Sequence, residues 1–427
     1  MAIGRLMLAS TMLVIAGTVS PVQAQDGLLV QPPIMQDVDR DRNVSVQSRP
    51  RPSYAPLGGR LGGLMIFPQL RTTAGASSNV YLTPRSQVGA PFAALEPSLR
   101  VQSLWSRHSL RLDAAALLRS FAGEPRRNER TWDIGGSGRL DLGRALTIIG
   151  EARASRGAEN LFSGEVGSDV AALSRFRRDA AAVRAQYTSG RIRAFVAADR
   201  ARFRFAPLEL VDGTVRDQAA RDREVTRLVG QFEHARTPSV SLFGQIGVTD
   251  TTYGRPALNS HAIRAALGFN ADIAGRARGT LTVGYTIRDY RMASIAPVRG
   301  AIVEGRGELF LTRRFTVTAA ARRTAEESAA DRAVPQPFWD NRVTLGGDYE
   351  ALANLILSAS GDYGWQAVIG TNRQNRTYRL AAAARYLVSR RATLTAGMSY
   401  ARRHARDGPL RNYAGEGRIE AGLAYHL

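Results

Sequence analysis

The chain has 427 residues, a formal net charge of +21, 41 glycines and no cysteine. All 58 basic residues are arginine, and they recur singly or in pairs along the chain instead of gathering in one patch or tail. A phosphate-tracking groove is therefore not indicated and no nucleic-acid partner is expected; without cysteine, no disulfide supports the fold.

The chain opens with "MAIGRLMLASTMLVIAGTVSPVQAQ". Arg5 precedes an apolar stretch from Leu6 to Val19, and Val22-Gln23-Ala24 offers a small-residue cleavage site. This pattern is expected to be a secretory signal peptide, residues 1–24, rather than a membrane anchor, because the stretch is short for a span and ends in a cleavage motif. No later segment provides about 20 uninterrupted apolar residues, so no transmembrane helix is expected. Residues 25–60 contain "QPP", "DVDRDRN" and "RPRPSYAPLGG". Proline and charge dominate there, which predicts a mostly extended periplasmic linker, too short to be a plug domain.

From Leu61 to Leu427 the sequence shows eighteen segments with period-two alternation. Alternate residues of a strand point to opposite sides of its sheet. In "RTYRLAAAARYLV", Tyr378, Leu380, Ala382, Ala384, Tyr386 and Val388 fall on one face, with Arg379 and Arg385 on the other. The connections alternate between short turns, such as "LGR", "TSGR" and "VSRR", and long loops, such as 157–175. An even number of strands joined this way is the layout of an outer-membrane β-barrel with short periplasmic turns. The expected fold is all-β, a transmembrane antiparallel barrel of about eighteen strands over residues 61–427. Sixteen is the alternative, if segments 176–188 and 220–235 are loops.

The alternation assigns interior positions strand by strand: Glu96 and Arg100, then Arg111 and Asp113, then Arg139, then Glu151 and Arg153. Arg184, Arg193, Arg264 and Arg288 follow, then Glu304 and Arg306, Arg379 and Arg385, and Arg418 and Glu420. Two readings stay open for these residues. They line a hydrated channel that attracts anions, or they brace the wall as cross-strand ion pairs. Trp105, Trp132, Trp339 and Trp365 lie near strand ends, and Tyr378 and Tyr386 are eight residues apart on one face. At ~3.3 Å per residue, that separation approaches the height of the apolar band, so these aromatics are assigned to its two girdles.

The chain ends in "RIEAGLAYHL", with Leu423, Tyr425 and Leu427 on the apolar face. This ending resembles the insertion signal read by the barrel assembly machinery, although its last residue is leucine where phenylalanine is usual. Catalysis is not expected. The five histidines, His108, His234, His261, His404 and His426, form no i, i+4 pair, and His108-Ser109 sits at the periplasmic end. "GEVGSDVAA" within 157–175 is acidic, but its spacing fits no calcium loop, so it is assigned as a solvated loop. No metal or cofactor is expected.

Several stretches together carry a resemblance: "RPRPSYAPLGGRLGGLMIFPQL", "SSNVYLTP", "LEPSLRVQSLWSRHSLRLDAAALLRSF" and "GRLDLGRALTIIGEAR". From about Arg49 onward the chain resembles the Putative β-barrel porin 2 family of Gram-negative bacteria. It departs from the pattern shortly before Asn79, where serine replaces an acidic residue. The resemblance implies an outer-membrane barrel without catalytic residues, working as a conduit in surface-polysaccharide export with periplasmic export proteins as partners. The alternative is a diffusion porin for small hydrophilic, preferentially anionic solutes. Outer-membrane lipid, the assembly machinery, and a saccharide or a small anion complete the expected partners.

Overall fold

A segment with one apolar and one polar face is satisfied as a strand between lipid and water, provided that no backbone edge is left open to lipid. The computed structural model describes residues 44–159, 161–163, 172–210, 212–328, 336–406 and 413–427. The expected signal peptide, most of the expected linker and most of the acidic "GEVGSDVAA" stretch lie outside the described residues.

Eighteen long strands run in chain order. They are β1 (Leu64–Ser77), β2 (Ala90–Ser103), β3 (Ser109–Phe121), β4 (Glu129–Leu142), β5 (Leu146–Ala158) and β6 (Arg175–Ser189). Next come β7 (Ile192–Phe205), β8 (Arg223–Thr237), β9 (Val240–Tyr253), β10 (Ser260–Ile273), β11 (Ala277–Tyr290) and β12 (Val298–Thr312). The last six are β13 (Phe315–Ser328), β14 (Gln336–Leu352), β15 (Leu355–Val368), β16 (Gln374–Leu387), β17 (Ala392–Arg406) and β18 (Tyr413–His426). Each pairs antiparallel with its sequence neighbours, and β1 closes the ring against β18 in a register running from Gln69↔His426 to Ser77↔Arg418.

The two segments that could have been loops are the strands β6 and β8. Their alternation is faint because both faces carry charge, Arg177 and Asp179 on one side of β6 and Arg178 and Arg184 on the other. Short turns such as Gly190–Arg191, Arg313–Arg314 and Ala353–Asn354 gather at one end. Gly190 adopts φ +54 in its two-residue turn, a conformation that costs a side-chain-bearing residue more than glycine. Pairing of β2 with β3 is interrupted at Glu96–Pro97, where proline has no N–H to offer. A short strand, Gly59–Leu61, adds to the edge of β1, and the Gly58 amide donates to the Leu427 carbonyl at 3.3 Å. Both ends of the barrel chain therefore meet at the short-turn rim, which is the periplasmic one in this architecture.

The described part of the expected linker is not extended throughout. Residues 46–49 and 52–55 form turns, and Val46 is fully buried. Most buried apolar clusters lie at the outer mouth, and one, Phe195 and Ala197 with Val229, lies lower on the inward face of β7 and β8.

Candidate functional site

The interior of the ring is the candidate site, and its two halves differ. On β5 to β8 the inward positions carry Arg153, Arg178, Arg184, Arg193 and Arg227, with Glu151 and Asp199 among them. These side chains lie over a layer of inward phenylalanines on β7. Arg178 sits 5.7 Å from the Phe203 ring centre, Arg184 5.9 Å from Phe195, and Arg223 4.9 Å from Phe203. A guanidinium over a ring face gains a cation–π attraction, larger where water is displaced. Phe195 and Phe203 are buried, so the apolar residues here back the arginines and do not face lipid. The sequence reading placed Arg193 on this face and missed the phenylalanines, although they share its odd-numbered phase.

Nine strands further round the ring, and so opposite, β14 to β17 present short side chains at mid-height. Gly346, Ser360, Ala381, Ala383, Gly397 and Ser399 face inward there. A basic wall thus faces a smooth one.

Each interior position expected from the sequence falls on the inward face of its strand, and polar pairs along a strand, between strands or with the chain ahead of the barrel account for many of them. Asp113 takes Arg100 at 3.1 Å and Arg111 at 2.6 Å. Arg139 holds Asp141 at 2.8 Å, Arg153 holds Asp133 at 2.8 Å, and Arg264 holds Glu304 at 3.3 Å. Arg288 pairs with Glu327, Arg385 donates to Gln47 Oε1 at 2.8 Å, and Arg418 pairs with Glu416 at 3.0 Å. Arg119–Glu129 at 2.6 Å and Arg278–Glu308 at 2.6 Å, like Arg100–Asp113, are directly opposed on neighbouring strands, and the sequence reading did not single out the first two. Such pairs contribute roughly 0.2–1 kcal/mol each. Arg193 has partners of its own. Arg184, Arg306 and Arg379, like Glu96, Glu151 and Glu420, make no ion pair among the described residues.

The outer mouth is narrowed by two inward elements. The chain leaving β5 is anchored where the Glu159 amide donates to the Ser174 carbonyl at 2.7 Å and the buried Glu159 carboxylate accepts from Arg221 at 3.0 Å. Leu161–Ser163 then forms one 3-10 turn away from that root. Phe162 packs on Leu82, on Ala401 of β17 and on Ala414 of β18, and Arg403 of β17 donates to the Leu161 carbonyl. The second element is the β13–β14 hairpin. β13 pairs with β12 only as far as Arg323, but with β14 as far as Ser328. Beyond that point Glu327 accepts from Tyr253 at 2.8 Å, from Ser260 at 2.7 Å and from Arg288, on β9, β10 and β11.

The periplasmic mouth is narrowed by the chain ahead of the barrel. The Val46 amide donates to Thr316 Oγ1 at 3.1 Å, and Gln47 Nε2 donates to Asp348 Oδ1 at 2.6 Å and Ser358 Oγ at 3.0 Å. Arg49 and Arg51 converge on Glu350 at 2.7 and 3.0 Å. Burial pulls the Arg51 guanidinium below its ordinary pKa, while Glu350 beside it pulls the other way. This segment is therefore tied to β13, β14, β15 and β16.

On the outside, Leu380, Tyr378 and Tyr386 are exposed, as are Leu423, Tyr425 and Leu427 at the chain end. Trp365 stacks on Tyr363 at 5.3 Å, and Tyr363 meets Tyr378 at 4.9 Å, forming an aromatic patch at the outer rim. Trp132 and Trp339 also stand at outer strand ends, and Trp105 lies in the Leu104–His108 turn at the periplasmic rim beside Gly63. Among the described residues no group of three His, Asp or Glu could hold a metal ion.

The family described as Putative beta-barrel porin 2 matches residues 51–423. No curated protein matches the chain. Among solved structures it is similar to Pseudomonas aeruginosa OpdL, at 14% identity and a TM-score of 0.45, covering 86% of this chain and 99% of that one. It is also similar to Acinetobacter baumannii OccAB3, at 10% identity and a TM-score of 0.48, covering 86% of this chain and 100% of that one. A BenF-like porin from Pseudomonas fluorescens Pf-5 is similar at 11% identity and a TM-score of 0.45, with 86% and 100% covered.

Proposed function

The chain belongs to the Putative beta-barrel porin 2 family, and from that premise we propose that this outer-membrane channel is a diffusion porin for small hydrophilic, preferentially anionic solutes. The observation that carries the reading is the reach of Leu161–Ser163 from β5 across to β17 and β18. A turn held in that position divides the outer mouth and sets an upper size for what passes. Eighteen strands alone would leave a wide aqueous channel.

Charge supports the preference for anions. Arg153, Arg178 and Arg184 are displayed on one wall, opposite residues too small to obstruct passage. A cation-rich lining favours anions at close quarters. The residues Glu96, Arg100, Arg111, Asp113, Arg139, Glu151, Arg193, Arg264, Arg288, Glu304, Arg306, Arg379, Arg385, Arg418 and Glu420 are proposed to complete the lining. Their pairs hold the wall as well as colour its potential.

The conduit for surface polysaccharide, implied by resemblance at the sequence level, is less well supported. A thick hydrated glycan needs an open bore, whereas both mouths here carry inward segments held by named contacts. Removal of residues 1–24, insertion through the assembly machinery reading Leu423, Tyr425 and Leu427, and aromatic girdles at Trp105, Trp132, Trp339, Trp365, Tyr378 and Tyr386 complete the proposal.

A deletion strain tests the reading. Reduced uptake of small organic anions with unchanged surface polysaccharide is expected. Lost polysaccharide with unchanged uptake would overturn it.

A further inference from the structure

Three arginines stand directly opposite one another on the outer surface of the barrel. Arg156 on β5 faces Arg177 on β6, and Arg177 faces Arg204 on β7. All three are exposed, and they share the outward phase of Ala154, Val183 and Val196. Like charges directly opposite on neighbouring strands destabilise a sheet. Pairing within the chain offsets only part of this. Arg177 takes Asp179 at 3.0 Å, but Arg156 and Arg204 make no ion pair or hydrogen bond among the described residues. One step lower, Arg202 stands between Asp179 and Glu224, where opposite charges alternate. The uncompensated charge is therefore confined to the upper row.

The height of that row indicates what it meets. Tyr187 lies on the same outward face of β6, ten residues below Arg177, near the periplasmic turn. At ~3.3 Å per residue and a strand tilt of roughly 40°, the separation along the membrane normal is about 25 Å, the height of the apolar band. The guanidiniums thus sit where the acyl region ends and lipid headgroups begin. Trp132, directly opposite Arg156, shares this outward face. Two other outward arginines at this rim lie against rings: Arg323 is 4.2 Å from the Trp339 ring centre, and Arg402 is 5.2 Å from that of Tyr413.

We propose that Arg156, Arg177 and Arg204 form a docking site for the phosphate group of a phosphorylated lipid headgroup in the outer leaflet. Neighbouring strands are about 4.8 Å apart, so the three side chains rise from a base about 10 Å wide. Long guanidinium side chains on such a base converge on a single phosphate, and each presents paired N–H donors to its oxygens. The bound anion removes the mutual repulsion that the row otherwise carries.

Native mass spectrometry of the whole barrel in detergent tests this, with four probes: bisphosphorylated lipid A, the same lipid dephosphorylated, phosphatidylethanolamine and inorganic phosphate. The wild-type barrel is expected to retain the bisphosphorylated lipid at least tenfold more than the other three. R156Q/R177Q/R204Q, with folding verified by heat-modifiable mobility, is expected to lose that excess, while R402Q keeps it. Equal retention of the dephosphorylated lipid would overturn the proposal, as would undiminished retention by the folded triple variant. Retention of inorganic phosphate as strong as that of the lipid would assign the row to free anions and overturn the lipid reading. The comparison of probes on the wild-type barrel decides the matter even if the triple variant fails to assemble.

Discussion

The Arg403 guanidinium donates a hydrogen bond to the Leu161 carbonyl, joining positions 242 residues apart in sequence. Leu161 belongs to the loop between β5 and β6, and Arg403 to β17, so one bond ties a loop to a wall far round the ring. The turn Leu161–Ser163 is held at the mouth by that bond and by the packing of Phe162 with Ala401 and Ala414.

Arg403→Ala should release the turn. Losing a buried partner leaves the Leu161 carbonyl unsatisfied at a cost of roughly 1–3 kcal/mol. The barrel should still assemble, because the strand pairs of β17 do not involve the side chain. Single-channel conductance is expected to rise and its fluctuations to increase. Conductance identical to wild type would mean that the turn does not restrict flow.

At the other mouth, Glu350→Gln should loosen the segment that carries Val46. Charge-assisted bonds to Arg49 and Arg51 contribute roughly 1.5–3 kcal/mol each when partly buried. The chain has no cysteine, so Val46→Cys supplies a single probe. A water-soluble maleimide should label it slowly alone and much faster combined with Glu350→Gln. Equal labelling rates would show that Glu350 does not hold the segment.

Much of the barrel is legible in the sequence, because the requirement of lipid on one side and water on the other writes itself as period two. Arg379 and Leu380 alternate in "YRLAAAARY" as they do around the ring. Loops have no such period, so the reach of Phe162 to Ala401 was not readable. Pro-rich residues ahead of Gly58 read as a linker, and their contacts with Glu350 and Thr316 depend on tertiary structure alone. The inward phenylalanines of β7 defeat the rule that apolar residues face lipid, because loop and arginine cover replaces water there. The row Arg156, Arg177 and Arg204 depends on strand register, which alternation within a single strand does not state.

The alternation itself is testable on β16. Leu380→Arg puts a charge on the lipid face and should cost roughly 2–4 kcal/mol if near the midplane, visible as lost heat-modifiable monomer. Arg379→Ala, on the inward face, should assemble almost normally, since Arg379 makes no ion pair among the described residues. Equal damage from both substitutions would show that the faces are misassigned.

The most direct test of the anion-selective channel is the reversal potential of the purified protein in a planar bilayer under a tenfold KCl gradient. A stable conductance with a reversal potential on the chloride side is predicted, moving towards the potassium side in the triple variant R153E/R178E/R184E. A potassium-selective wild-type channel, or a barrel that inserts and conducts nothing, would contradict the account.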